Sequence, residues 1–444
     1  MKVALIEVKP IQNEYIAKEM AGGLGKRITL GNNFWATFLR NQLTNSFIAP
    51  PISLASLAGV AMACNHGIKA YHIARIEDIE RDTDIAIVLS SMVDYHNEVN
   101  FIRGIKTLLP RLKVIVVGSF ASAMPEIYAG EADCIIKGDS ELAVQKILSE
   151  GFPVEKIIVS ERPEDLNTLP MLNWEPFMRN GYYARRPFSK ELGVGIQKSR
   201  GCSMTCNYCP YAAFYGKARH FDSDYVLKML EHYHDRHQIN YFMFRDPNFG
   251  ENRKEFHVFM EKLINSGLKI NWSCEARLDT FKEDSDFGLM AKAGLRYIIT
   301  GIESSDEELL KQNLRRPIKK EDAFRKLKVL ERSGVIVQTN YILGFPHETQ
   351  ESVYKTIEYA KQLNSMFATF HVFTPQPGTK IFDDYKNRLL GLDWQEFNYS
   401  NLVWGHDTLT KDFLDKITSN AYVEYYFRPK WMLKHTGRLL KTVF

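Results

Sequence analysis

Residues 200–211 read RGCSMTCNYCPY. Cys202, Cys206 and Cys209 fall within eight positions of a chain that has six cysteines in all. The spacing C-x3-C-x2-C lets one short loop curl three thiolates around a metal centre, and soft thiolates select zinc, copper(I) or iron–sulfur clusters. A cubane iron–sulfur cluster normally takes four cysteines. Three would leave one iron with an open position, and an open position is where a metal centre does chemistry instead of holding a fold together. Two alternatives stand beside this: a structural zinc with His220 as fourth ligand, and three unligated thiols.

The stretch LGVGIQKS just upstream has the apolar character of a strand, so the cysteines follow its carboxyl end. Five more strand-like runs come after them: YFMFRD, KINWSCEAR, YIITGIES, VQTNYILGF and ATFHVFTP, each separated from the next by a helix-length segment. Six parallel-type strands with intervening helices predict an incomplete (β/α)6 barrel over 192–386, whose active-site face is the carboxyl end of its strands. A second open sheet is the alternative.

Residues 1–151 show the same alternation. KVALIEV, KAYHI, DIAIVLSSM, KVIVVGSF and ADCIIKGD read as strands, with helices at PPISLASLAGVAMACNHG, NFIRGIKTLLPRL and SELAVQKILSEG. The class is therefore α/β: a doubly wound parallel sheet that binds ligands beyond its strand ends, near 90–94, 118–123 and 138–141. Residues 152–191 are rich in proline and polar groups and predict a linker lying across the surface. Residues 387–444 form a mostly helical extension. In its last stretch, Lys430, Lys434, Arg438 and Lys441 recur at nearly helical spacing. That stripe predicts a solvated face closing the barrel, with a membrane-surface or acidic-partner helix as the alternative.

With 444 residues, net charge +4 and 45% hydrophobic residues, the chain is long enough for two or three domains. So balanced a charge calls for no nucleic acid or anionic membrane as partner. No apolar run approaches the ~20 residues of a spanning helix, and MKVALIEVKPIQNEY is too charged for a secretory signal. Reduced thiols and a cytoplasmic location are expected.

RGCSMTCNYCPY resembles the cluster-binding signature of the radical S-adenosylmethionine (SAM) superfamily, including the aromatic Tyr208 before the last cysteine. FRDPNFGEN, WSCEARLD, GIESSDEELL, YILGFPHET and FTPQPGT resemble that family's later strand segments in order. APPISLASLAGVA and GSFASAMPEIYAGEADCIIKGDSE resemble the cobalamin-binding domain of one large branch, so the likeness covers roughly residues 1–385. The resemblance implies a [4Fe-4S] cluster on Cys202, Cys206 and Cys209. SAM would chelate its open iron and be reductively cleaved to a 5′-deoxyadenosyl radical that takes hydrogen from a small-molecule substrate. A reducing partner such as flavodoxin or ferredoxin would supply the electron.

The resemblance also implies cofactor contacts at Tyr208, Asp246, Glu275, Arg277, Glu303 and Gly344. Asp246 would meet the methionine ammonium, and Arg277 would clamp the SAM carboxylate with its guanidinium fork. Glu275 and Glu303 would accept from ribose hydroxyls or the ammonium, and Gly344 would let the backbone approach adenine. Each has a structural alternative: Asp246 can cap a turn, and Arg277 and Glu303 can pair with one another. Cys274 reads as a small buried hydrophobe. Tyr341 and His371 are the catalytic candidates, placed by strand alternation near the barrel interior.

Cobalamin is left open. A D-x-H-x-x-G loop does not occur: Asp94 and His96 match its opening, but Val99 stands where glycine is wanted, and GSFASA replaces a glycine–histidine element. Two enzyme outcomes follow, cobalamin-dependent C-methylation, which the domain architecture favours, and radical dehydration, rearrangement or epimerisation of a sugar or natural-product intermediate with SAM alone. A zinc-stabilised binding protein without turnover is the alternative from another class.

Overall fold

The computed structural model describes residues 1–10, 16–27, 48–73, 75–185 and 189–443, with side chains as far as 437. Six parallel strands form the N-terminal sheet: β1 (Lys2–Val8), β2 (Gly67–Ile73), β3 (Ile85–Leu89), β4 (Lys113–Val117), β5 (Cys134–Lys137) and β6 (Ile157–Val159). Their order is 2-1-3-4-5-6, so the strand order reverses between β1 and β3. β3 and β4 are Ile/Val-rich and almost wholly buried, as strands covered by helices on both faces must be. Helices α1 (Ile52–Ala63) and α2 (Tyr95–Leu108) supply part of that cover.

The second sheet is also six-stranded and parallel, with neighbours in chain order: β7 (Gly193–Ile196), β8 (Tyr241–Phe244), β9 (Asn271–Glu275), β10 (Leu295–Glu303), β11 (Ile336–Leu343) and β12 (Phe367–Val372). β7 and β12 do not pair, which leaves the partial barrel that six β/α units predict. Helix α3 (Pro210–Tyr215) follows the cysteines. Helices α4 (Lys411–Tyr426) and α5 (Pro429–Val443) lie at the β12 edge.

Residues 152–191 differ from the expected surface linker. They contribute β6 to the first sheet, then bury Leu166, Leu169, Leu172, Trp174 and Phe177 between the domains. Trp174 donates its indole N–H to the Gly195 carbonyl of β7 at 2.8 Å, and the Tyr233 hydroxyl donates to the Leu172 carbonyl. Polar composition hid these widely spaced apolar anchors.

Of the basic stripe of α5, Lys430 is exposed and Lys434 is engaged. Lys434 donates to the Asn364 carbonyl and pairs with Glu331, and His435 contacts the same carbonyl. The side chains of Arg438 and Lys441 lie outside the described residues. Among the described residues no helix is long and apolar enough to cross a membrane.

Candidate functional site

The cysteine loop grows from the carboxyl end of β7. Its foot is a two-residue bracket in which Ser199 pairs with His220 and Arg200 with Arg219, antiparallel. Gly201 sits at φ +86°, and a Cβ there would lie 2.5 Å from the Lys217 carbonyl oxygen, so only glycine turns the chain into the loop. Inside it, Cys202 N–H donates to the Gly216 carbonyl at 3.0 Å and Cys209 N–H to the Cys206 carbonyl at 3.2 Å.

Carboxylates from both domains hold this foot. Asp246, at the end of β8, is buried; its Oδ1 accepts the Ser199 hydroxyl at 2.6 Å and both its oxygens accept Lys198 N–H at 3.1 Å. Burial pushes Asp246 up to about 6, against those hydrogen bonds. The expected contact with the SAM ammonium is thus replaced by a positioning job, close to the turn-capping alternative. From the N-terminal domain, Glu141 pairs with Arg200 at 2.9 Å and Asp139 with Arg219 at 2.7 Å, while Ser56 donates to Glu141. The segment GDSE, singled out only as a strand-end ligand site, fastens the cluster loop across the domain interface.

The three thiols lie within range of one another's charge. Burial pushes Cys202 up to about 11 and Cys209 up to about 12, so a metal that binds them must displace protons. Cys206 sits beside the buried Arg315 guanidinium, which also pairs with Glu303 at 3.3 Å. Among the described residues, Glu175, His232 and His237 bring three ligand atoms within 4.8 Å of one another, and the cysteines with His220 do not. Ligands so spread do not close a single tetrahedral zinc site; a cubane, with its sulfur ligands on separate irons, suits them. His220 instead stands 4.0 Å from Glu251.

Above the strand ends lies a cavity of about 190 Å³, lined among others by Lys26, Glu275, Glu303, Asn340, His371 and Tyr399. Tyr208 forms one wall, its ring against Phe345 and Phe373 at 5.3 and 6.2 Å and its hydroxyl buried without a partner among the described residues. Arg277 spends two donors on Asp279 at 2.9 Å each and one on the Arg316 carbonyl, and its buried Nη1 has no partner among the described residues. So Arg277 and Glu303 do not pair with one another, as the structural alternative had it. Glu275 makes no hydrogen bond through its carboxylate among the described residues, and burial raises it, against Arg245 and Lys26. Glu303 holds φ +66°, a conformation rare outside glycine, at a register shift in β10. Such strain persists where surrounding structure enforces it, often at functional sites.

Two expectations need correcting. Tyr341 does not face the cavity: Gln338, Asn340 and Ile342 do, so alternation turns Tyr341 to the opposite face, stacked on Phe370 at 5.3 Å. Gly344 does have the positive φ (+85°) that favours glycine, but its N–H is taken by Glu348 at 2.6 Å and its open side faces Leu414. His371 is where alternation put it. Its unforeseen partner is Lys26, whose Nζ lies 3.0 Å from His371 Nε2. Burial, then the Lys26 charge, hold the imidazole well below its ordinary value, so neutral His371 accepts from the ammonium. Burial lowers Lys26 to about 8, against Glu275 and Glu303. Lys26 was missed because it comes from the N-terminal domain, with no motif around it.

Residues 196–360 match the radical SAM superfamily. Those residues form a radical SAM domain, preceded by a six-stranded parallel α/β domain, and the chain is an enzyme. An uncharacterized methyltransferase of Pyrococcus horikoshii is 26% identical over 88% of this chain and 92% of its own length. Anaerobic magnesium-protoporphyrin IX monomethyl ester cyclase of Rubrivivax gelatinosus is 25% identical over 63% of this chain, which spans 53% of the cyclase. The structure of the cobalamin-dependent SAM radical enzyme OxsB, with aqua-cobalamin and SAM bound, superposes with a TM-score of 0.71 at 11% identity. The match covers 99% of this chain and 70% of that one. A likeness so distant shows the fold.

The superfamily's cofactors are a [4Fe-4S] cluster and SAM, and the residues present fit them: three adjacent thiols, a buried guanidinium nitrogen without a partner, and a polar cavity beside both. Cobalamin fits less well. Beyond the carboxyl ends of β3 and β4 the described residues leave a space of about 50 Å³, bordered by Glu19, Gly23, Ser119 and Tyr215, too small for a corrin.

Proposed function

We propose that this protein reductively cleaves SAM at the cluster loop and abstracts a hydrogen atom from a small polar molecule held in the barrel cavity. The observation that carries this is Nη1 of Arg277, buried at the strand ends beside the cysteine loop and without a partner among the described residues. When bound, the cluster supplies one electron to the sulfonium of SAM, and the resulting 5′-deoxyadenosyl radical takes the substrate hydrogen.

The chain's own residues bind, orient and shield. Arg277 offers one donor to the carboxylate of SAM while Asp279 fixes its plane. Glu275 and Glu303 present carboxylates to the ammonium or the ribose hydroxyls. Tyr208, Phe345 and Phe373 make an apolar wall against the cluster loop, which excludes water from a reactive carbon centre. Lys26 and His371 face the substrate side with one donor and one neutral imidazole.

The test is anaerobic reconstitution followed by product analysis. Iron and sulfide near four each per chain, with 5′-deoxyadenosine formed from SAM and dithionite, is the expected result. Replacement of Cys202, Cys206 or Cys209 by alanine should abolish both; retention of iron and SAM cleavage in any of the three overturns the proposal. A second reading, cobalamin-dependent C-methylation, is favoured by the methyltransferase name of the Pyrococcus relative and the cobalamin in the OxsB structure. It predicts S-adenosylhomocysteine beside deoxyadenosine.

A further inference from the structure

Residues 16–27 form a small hairpin, Ile16 opposite Arg27 and Ala17 opposite Lys26, laid over the carboxyl ends of β3 and β4. That is the crevice where a sheet ordered 2-1-3-4 receives its ligand. The hairpin is fastened there at several points. Lys18 points down beside β3, its Nζ 2.7 Å from both Asp94 Oδ2 and Glu98 Oε1. Glu98 also accepts Ser91 N–H at 2.9 Å, the Ser91 hydroxyl at 2.7 Å and the Tyr128 hydroxyl at 2.6 Å. Lys18 and Glu98 are 1% and 0% exposed, so the charges are compensated inside the domain.

The backbone of the hairpin is fitted as closely. The Leu24 carbonyl accepts Met92 N–H at 2.7 Å and the Gly22 carbonyl accepts the Ser119 hydroxyl at 2.6 Å. Glu19 accepts the N–H groups of Ile52 and Ser53, the otherwise unpaired donors at the start of α1. Gly22 and Gly23 hold φ of +68° and +85°; a Cβ on Gly22 would stand 2.8 Å from Pro210, and one on Gly23 would strike the Ser119 hydroxyl. Bare backbone is therefore the filling between the sheet and helix α3 of the cluster loop. The remaining space, about 50 Å³, has room for a few waters.

Asp94 begins the stretch of the N-terminal domain that resembles the opening of a cobalamin loop, and here its carboxylate is spent on Lys18 and on Asn97, 3.2 Å away. His96 is exposed and stands 3.7 Å from Asp393. Withdrawing the hairpin would leave Glu98 and Asp94 buried without a counter-charge, which is strongly destabilising. A removable lid is not built this way.

We infer that residues 16–27 are a permanent substitute for a corrin: the N-terminal domain binds no cobalamin, radical chemistry runs on SAM alone, and Lys26 joins the barrel cavity as the group the substitution delivers. Only the middle clause rests on the proposed SAM activity. The first and last are statements about the crevice and the hairpin.

The full-length protein, reconstituted anaerobically with iron and sulfide, is incubated with hydroxocobalamin, desalted and read by its visible spectrum, with hydrogen exchange followed over residues 16–27. Less than one cobalamin per ten chains and unchanged exchange of the hairpin amides is the expected result. Retention above that level, or faster exchange across 16–27 on adding cobalamin, overturns the inference. Iron content and deoxyadenosine formation are measured on the same sample. A sample that excludes cobalamin yet fails to cleave SAM removes the proposed function and the middle clause, and leaves the crevice filled.

Discussion

The hydroxyl of Tyr426 accepts the backbone N–H of Ala368 at 3.0 Å and donates to the carbonyl of the same residue at 2.9 Å. One helical turn away, Tyr422 does the same to Phe370, at 3.0 and 3.1 Å. Four residues of helix advance about 6 Å and two of strand about 6.6 Å, so the two ladders keep step. β12 is an open barrel edge whose unpaired backbone would invite another strand, and α4 closes it with phenols instead. Replacing either tyrosine by phenylalanine keeps the packing and orphans a buried donor and acceptor. Each change should cost about 1–3 kcal/mol in denaturant unfolding, with iron content after reconstitution unchanged. A variant as stable as the parent would show that the hydroxyls do not close the edge.

Arg277 offers a cleaner test of the cofactor side. Its Asp279 partner is also held by Arg316 at 2.6 Å, so removing the guanidinium does not strand that carboxylate. Arg277→Met should therefore fold and take up iron, yet bind SAM about 10–100-fold more weakly, the worth of one charge-assisted hydrogen bond. Titration of SAM against the change in the cluster's electron paramagnetic resonance signal measures this directly. Unaltered affinity would assign Arg277 to structure.

How far the sequence carried follows from what each element depends on. The strands and the cysteine loop were legible because their signals are local: apolar runs of strand length, and ligands three and four positions apart. Directions were harder. His371 and Tyr341 were both placed inward by alternation, yet phase differs between β12 and β11, and only the register of the folded sheet shows it. Lys26, Glu141 and Asp139 were missed for another reason: their partners lie 345, 59 and 80 positions away, and such contacts leave no local pattern. The buried anchors of residues 152–191 were hidden by proline and charge between them. Residues such as Asp246, read as a ligand, fasten the loop that carries the ligands, and sequence cannot tell the two jobs apart.

Glu348 links stability to pH. Burial pushes its carboxyl up to about 7, against the N–H groups of Gly344 and Phe345 and the Ser352 hydroxyl. A carboxyl whose folded value lies above its unfolded one binds its proton more tightly in the native state. Native stability from this group is therefore full below about 4.5 and falls as pH rises through about 7, by up to about 3 kcal/mol. Glu348→Gln, which keeps an acceptor for the two N–H groups, should flatten the unfolding free energy between pH 5 and 8. The slope is measured by urea titration at each pH, and an equal slope in both proteins would locate it elsewhere.

The link between the domains should govern the cluster. Arg200 is buried between Glu141 and the bracket at the foot of the cysteine loop, with Glu141 at 2.9 Å and Asp139 at 3.8 Å on the N-terminal side and Gln197 accepting from it at 3.4 Å. Arg200→Met leaves Glu141 buried without its counter-charge, though still accepting from Ser56, a loss of about 3–5 kcal/mol. The loop would then lose one of its ion-pair tethers to the N-terminal domain, Asp139–Arg219 remaining, so iron retained after desalting should fall together with the melting temperature. The second change, Glu141→Gln, removes the stranded charge without restoring the tether. In the Arg200→Met/Glu141→Gln protein, stability should recover by more than 1 kcal/mol while iron retention stays low. If both recover together, the carboxylate's burial was the whole effect; if the two part, the ion pair positions the cluster loop as well as holding the domains.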